Sequence, residues 1–167
     1  MNLILCGMMG AGKTTVATKI AETTGRDLYD TDSIIVEKYG QISDIFERFG
    51  EKYFRDLETE VVKELSQKDN AVISTGGGLV LKGENVRLLK QNGQIVFLRA
   101  HLKTLLNRLK ADTTRPLLQG ADEGLEQRLK RLLSERTPIY ERVADYIVDV
   151  DEKAVEETVS EVLNFQS

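Results

Sequence analysis

Short apolar runs alternate along this chain with longer stretches in which apolar residues return every three or four positions. The runs LILC (3–6), AVIS (71–74), QIVFL (94–98) and YIVDV (146–150) are short and β-branched, as buried strands are, and LYD (28–30) reads as a brief further strand. Between them the helical period takes over. A helix is predicted from Gly12 to about Gly25, and a longer helical stretch begins near Ser43 with Ile45, Phe46, Phe49, Tyr53, Phe54, Leu57, Val61 and Leu65 on its apolar positions. Gly50 is the expected joint within that stretch. A short helix around Val86, Leu88 and Leu89 and a last one through Val155, Val159, Val162 and Leu163 complete the pattern. Strand–helix alternation of this kind predicts an α/β fold of three layers, a five-stranded parallel sheet flanked by helices, with no internal repeat.

Two segments exceed a simple crossover. Residues 33–68 are long and apolar enough to form a helical insert, and about 111–124, containing DTTRPLLQGADEG, carry Pro116, Gly120 and Gly124, the composition of a lid. No linker separates either from the rest, so residues 1–167 are expected to form one domain.

Composition narrows the partners. A net charge of −4 removes the basic excess that nucleic-acid and membrane-surface proteins use, so neither partner is expected, and any bound anion must be met by local groups. The single cysteine, Cys6, excludes an intramolecular disulfide and a thiolate metal cage. No apolar run has the length of a secretory or membrane-spanning segment, and a cytoplasmic protein is expected. Cys6 is expected to be a buried strand residue, and the single histidine, His101, a strand-to-helix junction residue without chemistry.

The first strand runs into GMMGAGKTT (7–15), which matches the phosphate-binding pattern Gly-x-x-x-x-Gly-Lys-Thr in its required strand-to-helix setting. Its glycines let backbone N–H groups turn around phosphate oxygens, and the following helix adds its N-terminal dipole. Gly10, Ala11, Gly12, Lys13, Thr14 and Thr15 are therefore the expected nucleotide-binding residues. Lys13 is expected to reach the β- and γ-phosphates and Thr14 to ligate Mg²⁺. The strand AVIS ends without the acid that hydrolytic relatives of this loop carry, so the carboxylates must come from DTD (30–32). An i, i+2 pair on an extended segment points Asp30 and Asp32 the same way, one for the metal shell and one to take an alcohol proton.

Gly76, Gly77 and Gly78 follow the third strand directly, and three glycines together point to a main chain that a ligand approaches closely. Arg55, with Glu58 one helical turn on, is a candidate anion contact, as are Arg136 and Arg115, each near a proline. Arg136 is expected near a helix end at Pro138.

In this order, GMMGAGKTT, YDTD, SDIFERFGEKYFRDLE, STGGG, TRPLL and ERTPIYERVADY resemble the shikimate kinases over nearly the whole chain. The resemblance implies a nucleoside monophosphate kinase-like P-loop fold, ATP with Mg²⁺, and phosphorylation of the 3-hydroxyl of shikimate on the way to aromatic amino acids. It implies Asp32 as the base that binds the acceptor hydroxyls and Asp30 as a metal residue acting through water. Arg55 and Arg136 would grip the shikimate carboxylate, Glu58 would orient Arg55, Gly77 would contact ring hydroxyls, and Phe46 and Phe54 would wall the pocket. Arg115 would swing in on the lid to the phosphates, and Arg108 would lie near adenine. A monomer with shikimate and ATP as its small-molecule partners is expected. Two alternatives stay open on the sequence: a kinase of another small hydroxylated acid such as gluconate, and a nucleotide-binding switch with no acceptor.

Overall fold

The structure, a computed structural model, describes residues 1–111 and 122–166. Five strands, β1 (Asn2–Cys6), β2 (Asp27–Asp30), β3 (Ala71–Ser74), β4 (Gly93–Arg99) and β5 (Tyr146–Asp149), form one sheet in the order β2-β3-β1-β4-β5. Every pairing is parallel, with Leu5 opposite Ser74, Asp30 opposite Ser74 and Cys6 opposite Phe97. The carboxyl ends of β1, β2 and β3 therefore finish side by side. In a parallel sheet that edge is where ligands bind.

The β-branched runs become strands because both sheet faces are covered. Leu3, Ile4, Leu5, Ile73, Ile95 and Leu98 are fully buried, as a parallel sheet requires. Helices α1 (Lys13–Thr24), α5 (Gly83–Lys90), α6 (Leu102–Ala111), α7 (Asp122–Val143) and α8 (Val155–Phe165) supply that cover among the described residues. The three-layer α/β architecture expected from periodicity is the one observed.

The insert folds as three helices, α2 (Thr31–Tyr39), α3 (Ile42–Phe49) and α4 (Glu51–Leu65), with Gly50 as the joint, at φ 88°. Phe49 and Tyr53 keep the helical period yet are 58% and 42% exposed, stacked on one another at the lobe surface with ring centroids 4.5 Å apart. Periodicity finds an apolar stripe but not what faces it. The lid segment, with Arg115, lies outside the described residues except for Ala111 and the start of α7. No described helix is long and apolar enough to cross a membrane.

One correction concerns α7. Proline was expected to close the helix near Arg136, but α7 continues through Pro138 to Val143 and puts Arg136 well inside it. Tertiary packing of this helix, through buried Tyr140, outweighs the hydrogen bond that Pro138 cannot donate.

Candidate active site

The loop after β1 leaves the sheet through Gly7 and Gly10 and caps α1 with Gly12. Gly10 and Gly12 have φ of 85° and 91°, a left-handed conformation that only glycine takes without strain. Lys13 Nζ bends back over the loop, donating to Gly7 O at 2.5 Å and Met8 O at 3.1 Å. From the other side Arg108, on α6, donates to Ala11 O at 2.8 Å and to Gly10 O at 3.4 Å. Two cations thus occupy the loop's carbonyl oxygens.

The end of β2 lies next to this loop. Asp30 is the last residue of β2 and caps α2: its Oδ1 accepts from the Ser33 N–H at 3.0 Å, while Oδ2 accepts from Thr14 Oγ1, also at 3.0 Å. Asp32 stands in the first turn of α2. The pair is therefore not carried by one extended segment, as the i, i+2 spacing suggested; a strand-to-helix turn brings both carboxylates to the same cleft. Thr31, between them, is fully buried, and its Oγ1 accepts from the Gly76 N–H at 2.9 Å. The whole DTD stretch is used, one residue towards the P-loop, one towards the glycine turn and one towards the cleft.

Gly76, Gly77 and Gly78 turn away from β3, and none of the three has a positive φ. Their value is space. A Cβ on Gly76 would lie 2.6 Å from Asp32 Oδ1 and 3.2 Å from Glu58 Oε2; one on Gly77, 2.9 Å from Arg136 Nη1; one on Gly78, 2.5 Å from Nη1 and Nη2 of Arg55. Three helices send charge onto the turn: Asp32 of α2 and Glu58 of α4 onto Gly76, Arg136 of α7 onto Gly77, and Arg55 of α4 onto Gly78.

These charges are held. Arg55 Nη1 donates to Glu58 Oε1 at 2.7 Å, its guanidinium also rests 5.2 Å from the centre of the Phe54 ring, and Glu51 lies 3.5 Å from Nη2. Glu58 is only 1% exposed, and its second oxygen, Oε2, has no hydrogen-bond partner. Burial raises its pKa; the Arg55 hydrogen bond and charge oppose the rise and Asp32 adds to it.

A cleft of about 250 Å³ is lined by Lys13, Thr14, Asp30, Asp32, Arg55 and Glu58 together with the glycine turn, Phe54 and Arg136. Met9 and Ile42 complete its apolar side, and no sequence signal had marked them. Phe46 stands behind the wall, 4.9 Å from Phe54 between ring centroids, and is not among the lining residues. A second cavity, of about 230 Å³, lies on the α8 side of Ala11, Gly12 and Thr15, closed by Arg108, Val150, Lys153 and Val155. A third, of about 250 Å³, over the P-loop shares residues with both. The last β-strand's exit loop thus contributes to a nucleotide-sized groove, through residue types too generic to be found from sequence. Cys6 is buried, its thiol pushed up to about 12 by that burial, and His101 sits exposed between β4 and α6; neither meets the cleft.

The oxygens around Thr14 suit a magnesium ion. Thr14 Oγ1 lies 3.0 Å from Asp30 Oδ2 and 3.5 Å from Ser74 Oγ, a hard, all-oxygen set. Among the described residues no three His, Cys, Asp or Glu side chains gather into a metal cage. Magnesium needs none, since it keeps waters and binds through one or two protein oxygens plus substrate phosphates.

The chain is similar to known proteins over almost its whole length. The family model described as shikimate kinase matches residues 9–166. The shikimate kinase of Thermodesulfovibrio yellowstonii is 44% identical over 163 residues, 97% of this chain and 92% of that protein. That of Caldicellulosiruptor bescii is 46% identical over 164 residues, 95% and 94% of the two chains. Among solved structures, the shikimate kinase from Acinetobacter baumannii in complex with shikimate superposes with a TM-score of 0.89 at 40% identity, covering 99% of this chain and 92% of that one. The crystal structure of shikimate kinase from Bacteroides thetaiotaomicron gives 0.92 at 33% identity, covering 99% and 98%. With a P-loop, three cleft carboxylates and a glycine turn ringed by arginines already in place, matches of this extent mean that the chain belongs to the shikimate kinase family.

Proposed function

We propose that this protein transfers the γ-phosphoryl group of ATP to the 3-hydroxyl of shikimate, giving shikimate 3-phosphate and ADP on the route to chorismate and the aromatic amino acids. The observation that carries this assignment is the single cleft in which Lys13 and Thr14 of the P-loop face Asp32, Arg55 and Arg136. A nucleotide switch has no use for the second half of that set. The Acinetobacter relative, solved with shikimate, supports the choice of acceptor over gluconate.

In the proposed division of labour, Gly10, Ala11, Gly12 and Thr15 hold the phosphates through main-chain N–H groups, with the base in the cavity beside Arg108. Lys13 turns its ammonium from the loop carbonyls to the β- and γ-phosphates. Thr14 and Asp30 would hold Mg²⁺, which neutralises phosphate charge when bound. Arg55 and Arg136 take the acceptor's carboxylate, Glu58 fixes Arg55, and Gly77 offers its main chain to the ring hydroxyls. Phe54, backed by Phe46, closes the apolar side. Asp32 accepts the proton as the 3-oxygen attacks the γ-phosphorus and the bond to the bridging oxygen of ADP breaks. Arg115, outside the described residues, adds charge at the phosphates from the lid. A single chain supplies all these groups, so a monomer suffices, and the cytoplasm is the fitting compartment for an ATP-consuming reaction of this kind.

A coupled assay for ADP with shikimate as the sole added acceptor tests the assignment, with gluconate and no acceptor as comparators. Turnover dependent on shikimate is expected. Equal ADP release without any acceptor, or preference for gluconate, would overturn it.

A further inference from the structure

Tyr140 has no part in the chemistry above, yet it stands where the two halves of the site meet. It lies on α7 one turn after Arg136 and is fully buried. A buried tyrosine hydroxyl needs a partner, and this one donates to the carbonyl of Gly77, at 2.5 Å. The same oxygen is 4.0 Å from Met8 Sδ in the P-loop. The Arg136 guanidinium lies beside it, over Gly77, close to where that residue's Cβ would be. The Tyr140 ring packs on Phe97 of β4 at 4.9 Å between centroids, and Phe97 in turn lies under Gly7. One side chain therefore touches the acceptor turn, an arginine of the acceptor site and the phosphate loop.

The glycine turn needs such a tie. The Leu79 and Leu81 N–H groups donate to the Gly76 and Gly78 carbonyls and shape the turn itself, while two side-chain hydroxyls tie it to the rest of the fold: Thr31 Oγ1 accepts from the Gly76 N–H on one side, and Tyr140 donates to the Gly77 carbonyl on the other. Reactions between two bound partners are sensitive to errors of about 1 Å in relative placement. Burial pushes the Tyr140 pKa up to about 12, so the hydroxyl keeps its proton and remains a donor throughout the working range of an enzyme.

We propose that Tyr140 is a positioning residue for phosphoryl transfer: its hydroxyl locks the Gly76–Gly78 turn and Arg136 against the P-loop, and so sets the acceptor oxygen in line with the γ-phosphate. This role rests on shikimate being the acceptor.

Tyr140→Phe tests it, because the ring and its packing on Phe97 remain. Expected are a rise of about tenfold in KM for shikimate, a comparable fall in kcat, and a KM for ATP within twofold of wild type. In the same protein, the increase in Tm given by saturating shikimate shrinks while that given by ADP is retained, a comparison that holds even where the variant is less stable. Shikimate KM and kcat within twofold of wild type, or shikimate and ATP constants changing by one common factor, would overturn the role. A wild-type enzyme silent towards shikimate refutes the proposed function and this role with it; an active wild type beside an unaffected variant refutes the role alone.

Discussion

Replacing Gly78 by alanine should separate the stability of this protein from its grip on the acceptor. The backbone tolerates the change, since Gly78 has φ −97° and ψ −2°, ordinary values for alanine. The new methyl does not fit: it would lie 2.5 Å from Arg55 Nη1 and Nη2 and 2.6 Å from Cζ. Non-bonded contacts settle near 3.5 Å, so the guanidinium must retreat by about 1 Å. The obstacle is the free end of a long side chain that is 24% exposed, so it can move outward without disturbing the fold. Its 2.7 Å bond to Glu58 then stretches past hydrogen-bonding range.

Two magnitudes follow. Glu58, already unpartnered at Oε2, loses its remaining partner at about 1–3 kcal/mol, limited by its readiness to take a proton and offset by about 0.4–1 kcal/mol from the stiffer unfolded chain. A net loss of about 1–2 kcal/mol lowers Tm by only a few degrees in a chain of this size. The acceptor loses a charge-assisted hydrogen bond of about 1.5–3 kcal/mol, which is about 10- to 100-fold in affinity. Steady-state kinetics with each substrate varied, together with thermal unfolding, read both. Gly83→Ala is the control, because nothing lies within 4 Å of its Cβ position; its constants should stay within twofold of wild type. A Gly78→Ala enzyme whose shikimate KM is unchanged, or whose ATP KM rises in step, would show that the glycine does not serve Arg55.

Asp32→Asn is expected to abolish most of kcat while nucleotide binding, followed by titration calorimetry with ADP, survives; near-normal turnover would remove Asp32 as the base. Arg136→Ala should raise the shikimate KM by at least tenfold with little change for ATP, whereas equal losses for both would make the arginine a structural residue. Glu58→Gln should weaken shikimate binding and also alter the pH dependence of stability. The folded-state pKa of Glu58 is raised by burial, so between its ordinary and its raised value the folded protein holds a proton that the unfolded chain has released, and stability falls as pH rises through that window. Tm of the glutamine variant relative to wild type should therefore increase as pH rises above the ordinary carboxylate range; a difference that is flat with pH would mean that Glu58 ionises without penalty.

What the sequence disclosed was what is local in the chain. A phosphate cradle is made of consecutive residues, so Gly7 to Thr15 displayed it directly, and Asp30, Asp32, Arg55 and Glu58 were legible from short spacings. Groups that act across the fold were not. Thr31 accepts from the Gly76 N–H, 45 positions away, and Tyr140 lies 63 positions from the carbonyl it holds. Asp30 was expected at the metal site; in the fold its two oxygens divide, one accepting from the Ser33 N–H as a helix cap and one from the Thr14 hydroxyl. Phe49 and Tyr53 showed the helix but not their exposure, because amphipathic period reports a stripe of apolar residues without reporting whether a partner covers it.

The glycine triplet shows most plainly how far a local pattern reaches. Three glycines signal that something must come close to the main chain, and the sequence suggested a ligand; in the fold, four charged side chains from three helices have already arrived. Asp32 and Glu58 balance Arg55 and Arg136 at that turn. The acceptor end of the cleft is thus close to neutral by formal charge, in keeping with a chain whose net charge is −4. An anionic acceptor is then bound because two guanidinium forks are held at fixed places, not because positive charge is in excess. Fixed places need a rigid centre with no side chains of its own, and a turn of three glycines tied by Thr31 and Tyr140 provides it.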